Sequence, residues 1–249
     1  MSATDARMPL LDHLRELRKR VTFSAVSIII FSVIGWFFYV PTINFLAKPL
    51  CDLSSSGSMK SCDVLYINGV LGPLNLQIKV ALMIGIVLAS PFWLYHLWAF
   101  LAPGLHKKEK KWTFIFTSAA TPLFGVGAFL AYSILPIAIR VLMGFTPSSL
   151  NNLIKFDDYL DFVTRLILVF GFSFELPLVL IALSLVGILS SRRMLSWWRI
   201  SLFLIVLFTA AFTPTGDPIT MLVLALPLVA LYFLAILIAW LIERKRQKS

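Results

Sequence analysis

The chain has 249 residues, of which 59% are hydrophobic and only 14% charged, and its formal net charge is +10. Soluble domains are near half apolar and about a quarter charged, so this composition excludes a water-soluble globule and predicts an integral membrane protein. The basic excess would suggest nucleic acid in a soluble protein, but here the positive-inside bias accounts for it, and no basic–aromatic nucleic-acid module is present.

Taken in chain order, the first twenty residues are polar and amphipathic, unlike the short apolar core of a cleavable signal peptide. Leu10, Leu14, Leu17 and Val21 recur at helical spacing, which predicts an amphipathic helix over residues 8–20 that lies on the interface and runs into the first span. A crossing needs about 20 apolar residues. Six segments meet or approach that length: 21–40, 76–100, 112–139, 162–189, 200–212 and 219–242. The second carries Lys79 near one end, and the third contains Pro122 and Pro136 and should tilt or kink. The fifth has an apolar core of only about 20 Å at 1.5 Å per residue, against a bilayer core of about 30 Å. TPTGDP (213–218) is a tight turn that makes the fifth and sixth spans a close antiparallel hairpin. The fold class is therefore all-α, with six transmembrane helices in a single membrane domain.

Most of the 22 Lys and Arg residues fall in four segments. These are the N-terminus (Arg7, Arg15, Arg18, Lys19, Arg20), the loop after the second span (Lys107, Lys108, Lys110, Lys111), the loop after the fourth (Arg192, Arg193, Arg199) and the tail (Arg244, Lys245, Arg246, Lys248). Six crossings put all four on one side, and the bias makes that side cytoplasmic, with both termini. Residues 41–75, 142–160 and the TPTGDP turn then lie outside. Cys51 and Cys62, the only cysteines, share the first outer loop in an oxidising compartment. They are read either as a disulfide or as two separate thiols.

No nucleotide-binding loop, metal motif or catalytic triad appears, so the chain is not read as an enzyme and no cofactor is expected. The informative residues are acids in or beside the membrane. In DHLRELRKR (12–20), Glu16 is surrounded by Arg15, Arg18, Lys19 and Arg20; in HKKEKK (106–111), Glu109 stands among four lysines. One reading is local: Asp12 caps the first helix, Glu16 pairs with Arg20 at i,i+4, and Glu109 relieves lysine repulsion. The other is that two carboxylates, held ionised by their cationic neighbours, accept a ligand bearing two guanidinium groups, which arginine can present bidentately and lysine cannot. Glu175, in FGFSFELPLVL, lies about midway along the fourth span, where burying a charge costs about 2.5–3.5 kcal/mol. It is read as a functional group or as a clamp between spans. Gln77 is a weaker sign of a polar interior, and Asp217 either caps the sixth span or acts in the outer turn.

HLRELRKR (13–20), FLAKPL (45–50), SPFWLYHLWAFLAPGLHKKEKK (90–111), FGFSFELPL (170–178) and TPTGDP before ALPL (225–228), in this order, resemble the TatC family, the multispanning receptor subunits of the twin-arginine protein translocase. The resemblance covers almost the whole chain. It implies a concave, glove-like bundle in the cytoplasmic membrane of a prokaryote. It also implies that Glu16 and Glu109 receive the paired arginines of signal peptides on folded cargo, supported by Phe100 and Arg18. Glu175 matches the family's membrane-embedded glutamate. Pro49 and Pro91 match prolines shaping the first outer loop and second span, and Asp217 an acid of the last outer loop. The implied partners are the single-span subunits TatA and TatB, which dock on the hairpin of spans five and six, further copies of the chain in a homo-oligomeric receptor complex, and the lipid bilayer. The implied energy source is the proton motive force. A rival reading from the residues is a secondary transporter of an ion or small solute, which would show internal repeats and several midplane polar groups; a second is a membrane scaffold without a ligand.

Overall fold

The structure is a computed structural model that describes residues 10–53, 65–101, 109–145, 153–212 and 218–247. Its elements in chain order are α1 (Leu10–Phe37), α2 (Tyr39–Leu53), β1 (Leu65–Tyr66), α3 (Gly72–Leu88), α4 (Ser90–Leu101), α5 (Glu109–Met143), β2 (Ile154–Lys155), α6 (Phe156–Val186), α7 (Ser191–Ser196), α8 (Trp198–Phe212) and α9 (Pro218–Gln247). The fold is all-α. The strands are two residues each, pair in parallel (Leu65 with Ile154, Tyr66 with Lys155) and tie the loop before α3 to the loop before α6.

Stretches within α1, α5, α6 and α9 are long and apolar enough to cross a membrane, and α3 with α4 forms a fifth, bent candidate. α8 is apolar but short: its 15 residues reach about 22 Å. This set is consistent with six crossings. The amphipathic segment and the first span are one uninterrupted helix of 28 residues, α1. Its stripe residues Leu14, Leu17 and Val21 are exposed, as are Ile29, Ile30 and Val33 further along, so much of α1 is not covered by the rest of the chain.

The apolar segment 76–100 is built from two helices. α3 and α4 meet at Ala89 with a bend of 56°. The cause is local. Pro91 has no N–H and its ring clashes with the preceding turn, so α3 stops at Leu88, and the N–H groups of Phe92 and Trp93 both turn to the Ala89 carbonyl, at 2.9 and 3.1 Å. α6 stops where Gly187 adopts φ +82°. The Gly187 N–H then reaches Ser184 O at 3.0 Å and the Ile188 N–H reaches Leu183 O at 3.1 Å, the paired bonds of a Schellman cap.

Without a hydrophobic drive inside lipid, helix packing depends on close backbone approach and buried polar contacts. α5 and α6 meet this way. A Cβ on Gly127 would lie 2.7 Å from the Phe170 carbonyl oxygen, and one on Gly171 would run into the Phe124 ring. Around that seam Leu135, Leu160, Val163 and Phe170 are buried with Leu46 and Leu50 of α2 and Val80 of α3. A second cluster, Trp93, Leu94, Trp98, Phe116, Phe124 and Leu178, joins α4, α5 and α6.

Candidate functional site

Aromatic contacts set the register of the helices that carry the expected binding residues. Phe23 stacks on His96 at 5.8 Å and Phe31 meets Phe92 at 5.4 Å, so α1 and α4 run antiparallel. Trp98 stacks on Phe116 at 4.7 Å and Trp93 packs edge-on against Phe124 at 5.2 Å, so α4 and α5 are antiparallel as well. The N-terminal part of α1, the C-terminal end of α4 and the N-terminus of α5 therefore share one end of the bundle. Glu16, Phe100 and Glu109 occupy those three helix ends. Glu109 is the first residue of α5, where the helix dipole favours an acid; its side chain lies outside the described part, as do residues 8, 9 and 106–108.

Glu16 is held within its own helix. Arg20 donates to Glu16 Oε1 through Nε at 2.9 Å and also through Nη2. The pair is about three-quarters buried at its side chains, 24% and 26% exposed, and all its bonds fall on one carboxylate oxygen. The local pairing read from the sequence is thus formed, and Oε2 takes no part in it. Arg18 is exposed, and its carbonyl accepts the Thr22 hydroxyl at 2.9 Å. Phe100 is half-buried near the end of α4.

Glu175 is 5% exposed within α6. The Trp98 indole is in its reach, yet Trp98 Nε1 and both Glu175 oxygens lack a hydrogen bond of ordinary geometry. An orphaned buried carboxyl is costly, and in a membrane-spanning helix such a group marks a functional position more often than a structural one. Gln77 is half-buried on α3.

Two polar clusters were not anticipated. Lys79 of α3 lies 2.8 Å from Asp157 Oδ1 and donates to both oxygens of Asp161, at 2.8 and 2.9 Å, bracing α3 to α6. The Asp157 contact is an ion pair with poor hydrogen-bond direction, since Oδ1 has no partner by angle. At the opposite end, Glu243 of α9 accepts the Ser191 N–H at 2.9 Å, the Ser184 hydroxyl at 3.1 Å and the Ser191 hydroxyl. It fastens the end of α6 and the start of α7 to α9. Each cluster joins residues more than 50 positions apart, so only the pairing of lone charges with apolar helices could have pointed to them.

Pro49 is buried within α2, and Pro91 is exposed at the start of α4 beside the break. Cys51 is disulfide-bonded; Cys62 and Asp217 lie outside the described residues. Among the described residues no group of three or more His, Cys, Asp or Glu is placed to hold a metal.

Residues 12–227 match the family described as Sec-independent protein translocase protein (TatC). The chain is 39% identical over 247 residues to the Sec-independent protein translocase protein TatC of Frankia casuarinae, covering 97% of this chain and 68% of that one. It is 38% identical to that of Xylanimonas cellulosilytica, over 97% and 87% of the two chains, and 32% identical to that of Aquifex aeolicus, over 97% and 98%. Its fold is similar to a crystal structure of a twin-arginine translocase receptor, TatC, with a TM-score of 0.77, 31% identity and coverage of 91% and 99%.

Proposed function

Because the chain belongs to the TatC family and is a multi-pass membrane component of a Sec-independent protein translocase rather than an enzyme, we propose that it is the receptor for twin-arginine signal peptides. The observation that carries this reading is the convergence of the helix ends bearing Glu16, Phe100 and Glu109 at one end of the bundle, set by the α1–α4 and α4–α5 aromatic registers. Two carboxylates at one end suit a ligand with two guanidinium groups, because each can accept a forked pair of N–H donors. The surrounding Lys and Arg side chains disfavour cations that cannot make that fork. Phe100 offers an aromatic surface at the same end of the bundle, and Arg18 supports the site from the same turn of α1 as Glu16.

In the same reading both termini and the basic segments are cytoplasmic, the apolar part of the signal peptide lies along the helices near Glu175, and Asp217 acts in the last outer turn. The single-span subunits TatA and TatB dock on α8 and α9, where Phe203, Leu204 and Leu207 are exposed. Further copies of the chain complete the receptor complex, Cys51 bridges to Cys62, and transport draws on the proton motive force in the cytoplasmic membrane. The test is binding of a labelled twin-arginine peptide, and its Lys–Lys version, to the full chain in lipid nanodiscs. Glu16→Gln and Glu109→Gln should each weaken Arg–Arg binding at least tenfold and leave the already poor Lys–Lys binding unchanged. Undiminished Arg–Arg binding in both variants would overturn the proposal.

A further inference from the structure

The carbonyl of residue i in an α-helix accepts the N–H of residue i+4. Pro49 stands inside α2 and has no N–H to give, so the Phe45 carbonyl is left without its helical donor. A side chain from another helix fills the gap. Tyr132 of α5 donates its hydroxyl to Phe45 O at 3.0 Å, and its ring stacks on the Phe45 ring at 4.3 Å with 12° between planes. The next carbonyl provides the contrast. Tyr159 of α6 donates to Leu46 O at 2.6 Å, but residue 50 is a leucine, so Leu46 O has a helical donor regardless of Tyr159. Two tyrosines thus reach consecutive carbonyls of α2, and only one of those carbonyls depends on its tyrosine.

We infer that Tyr132 is a positioning residue that fixes the orientation of α2 on the transmembrane bundle, by taking the carbonyl that Pro49 leaves free. The proline is what makes the fixing directional. A helix with all its carbonyls bonded internally can slide or roll against a neighbour at little cost, whereas a helix with one open carbonyl is tied to the single donor that meets it. Leu46 and Leu50 bury α2 in the core, and Tyr159 adds a second bond at Leu46 O, but neither answers the carbonyl that Pro49 leaves open. This inference is independent of the signal-peptide reading and concerns the opposite end of α1 from Glu16.

The test uses the full chain, disulfide intact, in nanodiscs. Tyr132→Phe keeps the ring stack and removes one hydroxyl; it should lower the unfolding midpoint by about 2–4 °C. In a Pro49→Ala background residue 49 regains its N–H, the Phe45 carbonyl is satisfied within α2, and the same Tyr132→Phe change should cost almost nothing. Tyr159→Phe should cost the same in both backgrounds. A second readout separates position from stability: electron-paramagnetic distances between nitroxides on non-cysteine amino acids at Asn44 and Phe114, the latter about 27 Å along α5 from Tyr132. That distribution should broaden in Tyr132→Phe and stay broad in the Pro49→Ala double variant, because the stability returns but the tether does not. An equal Tyr132→Phe penalty in both proline backgrounds, or an unchanged distance distribution, overturns the inference. Should Pro49→Ala fail to fold, Phe45→Ala decides: it keeps the carbonyl and deletes the ring, so the Tyr132→Phe penalty must persist there, and its disappearance would assign the contact to ring stacking alone.

Discussion

Glu16 is paired with Arg20, and in the proposed receptor reading the strength of that pair sets how easily an incoming guanidinium replaces it. Arg20 reaches one oxygen through two nitrogens within a single helix. An i,i+4 pair of this kind contributes about 0.3–0.5 kcal/mol, and partial exposure keeps it near that range. Removing the competitor with Arg20→Gln should therefore tighten twin-arginine peptide binding about twofold, by the relation that 1.4 kcal/mol is a factor of ten. Losing the acceptor is a larger change. A hydrogen bond to a charged group contributes about 1.5–3 kcal/mol, so Glu16→Gln should weaken binding by about 10- to 150-fold. The assay is fluorescence anisotropy of the labelled peptide at fixed ionic strength, since bulk charge effects scale with salt. The double variant is the decisive arm. If Arg20 acts only by competing for Glu16, its removal has no effect once Glu16 is gone. A twofold loss from Arg20→Gln in place of the gain, or a gain that survives in the Glu16→Gln background, would refute the competition.

Three further outcomes follow from the helix contacts. Lys79→Met takes the cation from Asp161 and leaves Asp157 only Lys155, at 3.5 Å, and because all three side chains are partly exposed it should cost about 1–2 kcal/mol, between surface and buried pairs; Asp161→Asn should cost less, because Asp157 still pairs with Lys79, and thermal unfolding in nanodiscs compares them. Gly171→Ala drives a methyl into the Phe124 ring and should destabilise by about 1–3 kcal/mol, whereas Gly125→Ala meets nothing within 4 Å and should be neutral or slightly stabilising in the same assay. Glu243→Leu leaves the Ser191 N–H and two serine hydroxyls without their acceptor and should cost about 1–3 kcal/mol, while Glu243→Gln keeps one acceptor oxygen and should be milder; proteolysis of the α6–α8 connection reads the difference.

Much of the architecture was legible because membrane helices announce themselves by length and apolarity. α5, α6 and α9 fall where their hydrophobic runs do. What lay beyond the sequence was geometry between segments. Pro91 stood in an apolar run that reads as one span, and composition is silent on whether a proline kinks a helix or parts it; the structure parts it at Ala89. Lys79 looked like a residue at the end of a span until Asp157 and Asp161 came to it from 78 and 82 positions away. Glu16 and Glu109 were recognisable as acids in basic surroundings, and the crossing count already put their segments on one side; what the sequence could not give is the register of α1, α4 and α5, which Phe23 on His96 and Trp98 on Phe116 set. Pro49 could be matched to a family position, while its effect on Phe45 and Tyr132 depends on a helix 87 residues further on.

The break between α3 and α4 has a mechanical consequence. A straight rod would carry any tilt imposed at one membrane face through to the other. With a 56° bend at Ala89, the two halves lie along different axes. The α3 half is pinned by Lys79 to α6, and the α4 half is held by Trp93 and Trp98 in the aromatic layer against α5. In the proposed receptor reading, force at the Phe100 end acts on α4 and its aromatic layer, while the Lys79 brace belongs to the other half. The two halves are joined as by an elbow rather than as one lever.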